Sequence, residues 1–206
     1  MKRIIISQRV DDYPDRDERR DALDQKLPQL LYGCGYLTFP VPNLLSQPVP
    51  GATAGAGEAL GRWIEEINPH GIVLSGGNDI GSCKERDDAE HQILEYSRDN
   101  ELPVLGICHG MLAMAVFEGG ELHQIDGHVR KSHDLNGEIA GKANSFHNYS
   151  LAECPENFDI LARSEDGAIE AIKHQTHPWE GWMWHPERAG SEPDRDLGRI
   201  KKLFGK

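Results

Sequence analysis

Long apolar runs are missing from this sequence of 206 residues. The first run along the chain, Ile4–Ile6, is too short for the apolar region of a secretory signal. No stretch approaches the roughly 20 apolar residues that a membrane-spanning helix needs. The sequence therefore argues against an integral membrane protein, and we expect the chain in the cytoplasm.

Cysteine is also scarce, and its four copies at positions 34, 83, 108 and 154 include no C-x-x-C pair. This spacing predicts neither a disulfide framework nor a zinc site built from cysteines. We expect four reduced thiols, so any chemistry of a cysteine must come from its individual surroundings.

Basic residues are too few to balance the acidic ones, with 22 against 34 and a net charge of −12 at pH 7. Such a surface repels phosphate backbones and anionic bilayers, so neither nucleic acid nor a membrane is an expected partner. The length and the hydrophobic content of 38% are typical of one globular domain covering residues 1–206.

Short apolar segments alternate with amphipathic ones in the first half of the chain. The apolar segments predict strands at Arg3–Ile6, Tyr36–Phe39, Gly71–Leu74 and Pro103–Ile107. The amphipathic segments predict helices at 17–31, Glu58–Ile67, Arg86–Asn100 and Met111–Phe117, and a loop rich in Pro and Gly covers 43–57. This alternation predicts an α/β fold with a mostly parallel sheet and right-handed crossovers.

The second half contains shorter strand candidates separated by turn residues. They lie at Glu121–Ile125, Gly141–Phe146, Ile160–Arg163, Ala168–Lys173 and Gly181–Trp184. We expect a smaller antiparallel extension that returns to the central sheet, closed by a helix at about 194–204.

The segment VLGICHGM, residues 104–111, places Cys108 where a predicted strand passes into a predicted helix. Glycines on both sides allow the sharp turn of a nucleophile elbow. At the first turn of a helix the positive end of the dipole favours a thiolate, and the N–H group of His109 is free to face an oxyanion. The alternative interpretation is a buried small hydrophobic residue, which is what most intracellular cysteines are.

The segment MWHPER, residues 183–188, supplies a partner for such a thiolate. Pro186 keeps His185 extended, and Glu187 lies on the same side of an extended chain, where a carboxylate orients the imidazole. Cys108, His185 and Glu187 therefore form a candidate triad with His185 as general base and acid.

A third segment, SGGND at residues 75–79, follows the third predicted strand. Its two glycines allow backbone N–H groups to approach a substrate oxygen closely, although the same pattern also forms plain turns. Beside a cysteine elbow, Gly77 is a candidate second donor of the oxyanion hole.

These motifs, with ANSFHNYSL and DGAIEAIKH between them, resemble the class I glutamine amidotransferase family and its hydrolytic relatives, the γ-glutamyl amide hydrolases. The resemblance covers essentially the whole chain. It implies a flavodoxin-like three-layer sandwich around a mostly parallel central sheet, with Cys108 as nucleophile and His185 and Glu187 as base and supporting acid. It implies an oxyanion hole from the backbone of Gly77 and His109. The residues that it places near the substrate are Gly76, Asn78, Asn144, Ser145, Phe146 and His147.

The sequence departs from the family pattern at Leu112 and Met183, positions where many members carry glutamine. Both changes remove polar groups from the region where free glutamine is held. They favour another γ-glutamyl substrate, with a small amine or a nucleotide phosphoramidate as leaving group. Two rival hypotheses stay open: a glutaminase subunit that delivers ammonia to a synthetase, and a catalytically silent binding protein on the same fold.

Several charged residues have two interpretations. Arg9 follows the first strand and is expected to contact an anionic substrate. The following arginines, Arg16, Arg19 and Arg20, are either anion contacts or a solvated helix face.

The segment 127–135 contains His128 and His133, too few ligands at fixed spacing for a metal. It is expected to be a loop at the substrate entrance or a solvated turn. The chemistry requires no metal and no organic cofactor, and a homodimer is left open.

Overall fold

The computed structural model describes residues 1–51 and 57–205. The strands are β1 (Lys2–Ile6), β2 (Arg9–Tyr13), β3 (Glu18–Ala22), β4 (Tyr36–Pro40), β5 (Gly71–Leu74), β6 (Val104–Ile107), β7 (Leu122–Gln124), β8 (Val129–Gly137), β9 (Gly141–Phe146), β10 (Tyr149–Leu151), β11 (Phe158–Arg163), β12 (Ile169–His174) and β13 (Trp179–Trp182). The helices are α1 (Lys26–Gly33), α2 (Glu58–Ile67), α3 (Lys84–Asp99), α4 (His109–Phe117) and α5 (Pro193–Phe204).

Nine of these strands form one sheet in the order β4-β1-β5-β6-β13-β12-β11-β8-β9. The first five run parallel to their neighbours, and the last four continue the sheet in antiparallel pairs. Two small antiparallel sheets, β2–β3 and β7–β10, stand beside it. The carboxyl ends of β5, β6 and β13 therefore meet at one edge, where ligands bind in parallel sheets.

The central strands are buried on both faces, as their uniformly apolar sequences predict. One face carries Ile4 and Val73 and packs on α1 and α5 through Leu31 and Ile200. The opposite face packs on α2, α3 and α4. This arrangement confirms the predicted three-layer α/β sandwich with an antiparallel extension.

The helix predicted over 17–31 is wrong in its first half. Glu18–Ala22 pairs with Arg9–Tyr13 in a hairpin, and the helix begins only at Lys26. The segment 17–21 is wholly charged and has no apolar face to bury, whereas Asp17, at φ 51°, supports a left-handed turn. Alternate residues of β3 share a face, so Arg20 pairs with Glu18 at 2.6 Å.

Two strands of the second half were not predicted. The segment 127–135, expected to be a loop or turn, is mostly strand β8, and Tyr149–Leu151 forms β10. β8 exposes most of its polar side chains, so it lacks the apolar alternation that identifies strands.

The other strand predictions of the second half are confirmed, although β13 begins and ends two residues earlier than predicted. In the predicted loop 43–57, Asn43–Ser46 forms a short 3₁₀ helix, and positions 52–56 lie outside the described residues. None of the helices in the described ranges is both long enough and apolar enough to cross a membrane.

Candidate active site

Cys108 is the junction between β6 and α4. Its backbone adopts φ 51° and ψ −106°, a conformation that residues with a side chain rarely occupy. Its N–H donates a hydrogen bond to the carbonyl of Trp182 at 2.6 Å, so β13 holds the turn in place. Strained backbone of this kind is typical of functional sites.

The glycines that flank Cys108 are explained by close backbone contacts. A Cβ at Gly110 would lie 2.2 Å from the carbonyl oxygen of Leu74, and one at Gly106 would lie 2.6 Å from the carbonyl carbon of Gly110. Side chains at these positions would push α4 away from β5 and β6. The glycines thus allow the helix to begin directly above the strand ends.

His185 lies just beyond β13, and its imidazole interacts electrostatically with the Cys108 thiol. Its Nδ1 is 2.7 Å from Oε1 of Glu187, which leaves Nε2 for the thiol. The burial of His185 disfavours its charged form, but hydrogen bonds to Cys108 and Glu187 outweigh this and raise the pKa of His185 to about 9. This geometry favours the charged imidazolium form of His185 at neutral pH.

Asn144 fixes the backbone at His185. Its Oδ1 accepts a hydrogen bond from the His185 N–H at 2.9 Å, and its Nδ2 donates to the His185 carbonyl at 2.8 Å. The resemblance places Asn144 near the substrate, but its amide is occupied by this two-point contact.

The turn after β5 lies against the same imidazole. A Cβ at Gly76 would be 2.5 Å from Cε1 of His185, so only glycine allows this approach. Gly77 has φ +142°, and a Cβ there would collide with Arg86 and Arg9. The N–H groups that form an oxyanion hole must be free of other acceptors. Within the described ranges, neither the Gly77 N–H nor the His109 N–H donates to a backbone carbonyl.

A buried charged network, which no sequence motif indicated, lies beneath this turn. Glu90 accepts hydrogen bonds from Ser7 at 2.7 Å and from Arg86 at 3.0 Å, and its second oxygen is 2.7 Å from Nε2 of His109. Arg86 also donates to the Ser75 carbonyl at 2.7 Å. The network therefore joins α3, the turn and the start of α4.

Charge compensation explains how Glu90 is tolerated in this buried position. Burial raises its pKa, but the charges of Arg86 and His109 outweigh this and lower the pKa to about 2. In the sequence, the network is marked by the i,i+4 spacing of Arg86 and Glu90 on α3. Charged pairs with this spacing are usually found on solvent-exposed helix faces, so the spacing did not predict a buried network.

Two cavities flank the site. One of about 330 Å³ is lined by Cys108, Gly77, His109, Leu112 and Phe146, among others. The second, of about 270 Å³, is lined by Gly76, His185 and Arg9. It is also lined by Arg188, the last residue of the MWHPER segment, for which the sequence predicted no role. Gly77 borders both cavities, so a substrate that spans them would pass over Gly77, with Cys108 beside one end and His185 beside the other.

Of three other predicted substrate residues, Phe146 and His147 line a cavity, whereas Ser145 is buried. Phe146 lines the first cavity, and its ring meets that of His185 edge-on at 5.8 Å. The Ser145 hydroxyl is buried and donates to the His128 carbonyl at 2.6 Å. His147 lines the first cavity but is 4% exposed, and its Nδ1 is engaged with the Tyr149 carbonyl.

Asn78 also has a structural partner. Its Oδ1 accepts from the Val10 N–H at 2.8 Å and its Nδ2 donates to the Val10 carbonyl at 2.9 Å, which ties the β2–β3 hairpin to the turn. The Asn78 side chain therefore holds the hairpin in place, and the residue also lines the first cavity.

The arginines of the hairpin already have acidic or aromatic partners. Arg9 lines the second cavity and pairs with Asp11. Arg19 pairs with Glu85 of α3 at 2.6 Å, and neither residue lines the two cavities. The guanidinium of Arg16 lies over the ring of Tyr13. Because the predicted helix is a hairpin here, these side chains do not form the solvated helix face that was one of their two interpretations.

Comparison with known proteins agrees with this geometry. Residues 54–201 match the sequence model of the family described as "Glutamine amidotransferase class-I". The γ-glutamyl-CDP-amidate hydrolase of Campylobacter jejuni is 32% identical over 123 residues, which cover 57% of this chain and 62% of that protein. A subunit of the glutamine-hydrolysing GMP synthase of Methanosarcina barkeri is 34% identical over 147 residues, covering 65% and 74%.

Solved structures share the fold across the full chain. A crystal structure described as a putative GMP synthase subunit from Thermoplasma acidophilum superposes with a TM-score of 0.71 at 20% identity, covering 100% of this chain and 93% of that one. A glutamine amidotransferase from Thermotoga maritima gives a TM-score of 0.60 at 13% identity, covering 98% and 82%. At these identities the likeness concerns the fold alone.

Proposed function

The chain belongs to the class I glutamine amidotransferase family, and we propose that it is a cysteine-dependent hydrolase of a γ-glutamyl amide. The observation that carries this proposal is the series Cys108, His185 and Glu187 at the carboxyl ends of β6 and β13. The His185 imidazole interacts with the Cys108 thiol, and its Nδ1 is 2.7 Å from Oε1 of Glu187. A catalytically silent binding protein would not need this series, so we do not favour that hypothesis.

The first half of the proposed reaction forms a thioester. The Cys108 thiolate attacks the γ-carbonyl carbon, and the N–H groups of Gly77 and His109 stabilise the oxyanion. The carbon–nitrogen bond breaks as imidazolium His185 gives its proton to the leaving amine. Glu187 stabilises the charged form of His185 before this transfer.

The second half releases glutamate. Neutral His185 takes a proton from water, and the resulting hydroxide attacks the thioester carbonyl beside the same oxyanion hole. The carbon–sulfur bond breaks, which returns the thiolate–imidazolium pair. No proton is gained or lost at the site over the full cycle.

For the leaving group we propose a small amine or a nucleotide phosphoramidate, as in the Campylobacter relative. Leu112 lines the cavity beside Cys108 with an apolar side chain where many family members carry glutamine. In the cavity beyond His185, the guanidinium groups of Arg9 and Arg188 are half-exposed, with 53% and 34% of their side chains accessible. A phosphate has geometry suited to either guanidinium. Asp11 competes for Arg9, and Asp24 and Glu187 compete for Arg188.

The second candidate is a glutaminase subunit that supplies ammonia to a synthetase. It is favoured by the similarity to subunits of glutamine-hydrolysing GMP synthases. A protein of this kind should hydrolyse glutamine slowly by itself and faster with its partner.

Glutamate release from a panel of γ-glutamyl substrates tests both candidates. The panel includes glutamine, γ-glutamyl alkylamides and a γ-glutamyl nucleotide phosphoramidate, each with the native chain and the Cys108→Ala variant. We expect the amides or the phosphoramidate to exceed glutamine, with no turnover by the variant. Glutamine as the preferred substrate would overturn the substrate proposal, and turnover by the variant would overturn Cys108 as nucleophile.

Arg188→Ala refines the choice of leaving group. If the leaving group carries phosphate beside Arg188, this variant should raise KM for the phosphoramidate at least about tenfold and leave KM for glutamine unchanged. Equal effects on both substrates would contradict a phosphate contact there.

A further inference from the structure

Three side chains outside the proposed triad bring metal-binding atoms together in the antiparallel half of the sheet. His128 lies just before β8, His147 just after β9, and Glu170 within β12. His128 Nδ1 is 3.2 Å from His147 Nε2, and Glu170 Oε1 is 3.3 Å from the first nitrogen and 3.5 Å from the second. All three residues are at most 4% exposed.

The spacing of these three atoms is that of a tetrahedral metal site. Ligands held 2.0–2.1 Å from Zn²⁺ in a tetrahedron lie about 3.3–3.4 Å from one another. The three distances between these atoms bracket this value, which is the spacing expected of three ligands of one ion.

The outer nitrogens of both rings already have acceptors. His128 Nε2 is 2.8 Å from Oδ2 of Asp166, and His147 Nδ1 is 2.9 Å from the carbonyl oxygen of Tyr149. When each ring donates its N–H outward, the inner nitrogens present lone pairs to each other. Metal-binding histidines are oriented by outward hydrogen bonds of this kind.

A positive charge is needed where these atoms meet. Both oxygens of Glu170 are buried, and no side chain in the described part of the molecule gives them an aligned hydrogen bond. A buried carboxylate facing two nitrogen lone pairs is strongly unfavourable without a positive charge.

His133 supplies a fourth donor beside the other three. Its ring centroid is 4.2 Å from that of His128, and its Nε2 is buried without a hydrogen-bond partner among the described residues. One ligand atom each of His128, His133 and Glu170 lie within 4.8 Å of one another. The sequence contained too few ligands in 127–135, and the fold adds His147 and Glu170 from other strands.

We propose that His128, His147 and Glu170, with His133 as the fourth donor, bind one Zn²⁺ ion. A set of imidazole nitrogens with one carboxylate favours zinc among the common divalent ions. The ion would link the beginning of β8, the end of β9 and β12. Because Asn144 on β9 holds the backbone of His185, the role of the site is to brace the strand that positions this histidine.

Zinc binding to the chelator-stripped chain tests the proposal, measured by competition with a chromophoric chelator. All proteins carry Cys108→Ala, because a thiolate beside His185 would also bind zinc. Glu170→Gln replaces a charged ligand with a neutral amide. Asp166→Asn likewise replaces the carboxylate that accepts from His128 Nε2 with a neutral amide, and Oδ1 of Asp166 also accepts from Ser164. The Asp166 side chain is 53% exposed, so this variant should keep its fold. His91→Ala, on the exposed face of α3, is the matched control.

We expect one Zn²⁺ per chain, with affinity reduced at least about 100-fold by Glu170→Gln and about 10- to 100-fold by Asp166→Asn. His91→Ala should bind like its parent, and zinc should raise the Tm of the parent but not of Glu170→Gln. Absent binding, or equal affinity in Asp166→Asn and the control, would overturn the proposal. A proton shared by His128 and His147 would then hold the cluster together.

Discussion

Replacing Gly76 with alanine tests whether the position of the His185 ring governs turnover. The added Cβ would lie 2.5 Å from Cε1 of His185. Carbon atoms in ordinary contact are about 3.5 Å apart, so the turn and the ring must separate by roughly 1 Å. The backbone of Gly76 does not have the positive φ that would strain an alanine, so the perturbation is confined to this contact.

The expected effect on rate follows from this displacement. A shift of about 1 Å in a catalytic group costs about 100-fold in rate, equivalent to about 2.7 kcal/mol in activation free energy. His185 is 3% exposed and is held by Glu187 and Asn144, so it has no free space into which to relax. We therefore expect kcat to fall about 100-fold, with a smaller change in KM.

The assay is steady-state glutamate release from the best substrate of the panel, with thermal unfolding measured in parallel. Gly198→Ala is the matched control, because this exposed position in α5 has no described atom within 4 Å of the added Cβ. It should keep full activity and gain up to about 1 kcal/mol in stability. A folded Gly76→Ala protein with undiminished kcat would refute the role assigned to His185.

Three further predictions concern the thiols, the buried network and pH. Burial raises the pKa of the Cys154 thiol, so iodoacetamide should label Cys108 before Cys154. Cys154→Ala should keep full activity, and Cys108→Ala should have none. The reverse result would contradict the assignment of Cys108 as nucleophile. Glu90→Gln leaves the charge of Arg86 buried without its carboxylate partner. The free energy of unfolding, measured in urea, should therefore fall by about 3–5 kcal/mol. An unchanged value would show that the network does not stabilise the fold. The pKa of His185 is raised from 6.5 to about 9, so its contribution to stability is complete below pH 6.5 and is lost as pH rises through 9. The difference in unfolding free energy between the native chain and His185→Gln should therefore shrink from pH 6.5 to pH 9. A difference that grows would contradict the raised pKa.

The parts of the fold that the sequence predicts are those with strong local patterns. Gly71–Leu74 and Glu58–Ile67 are found with the predicted bounds, because a uniformly apolar run marks a strand covered on both faces and amphipathic periodicity marks a helix. The elbow at Cys108 was predictable because Gly106 and Gly110 mark a close approach of backbones. The single domain over 1–206 stays a prediction.

The features that the sequence did not predict depend on contacts between distant segments. The hairpin of β2 and β3 is highly charged, and it is held in part by Asn78, 68 residues from Val10. Asn144 binds the backbone of His185 across 41 residues. No local pattern encodes such partners, so polar residues that position the site resembled substrate contacts in the sequence.

Covalent catalysis requires that Cys108 carry a γ-glutamyl group during turnover, formed with the help of His185. This intermediate can be detected by peptide mass spectrometry after acid quenching during hydrolysis of a γ-glutamyl amide. We predict a γ-glutamyl group on the peptide that contains Cys108, at higher occupancy when hydroxylamine is absent, because hydroxylamine cleaves thioesters. A γ-glutamyl group on another residue, or none in either the native chain or a slowed Gly76→Ala variant, would contradict covalent catalysis by Cys108.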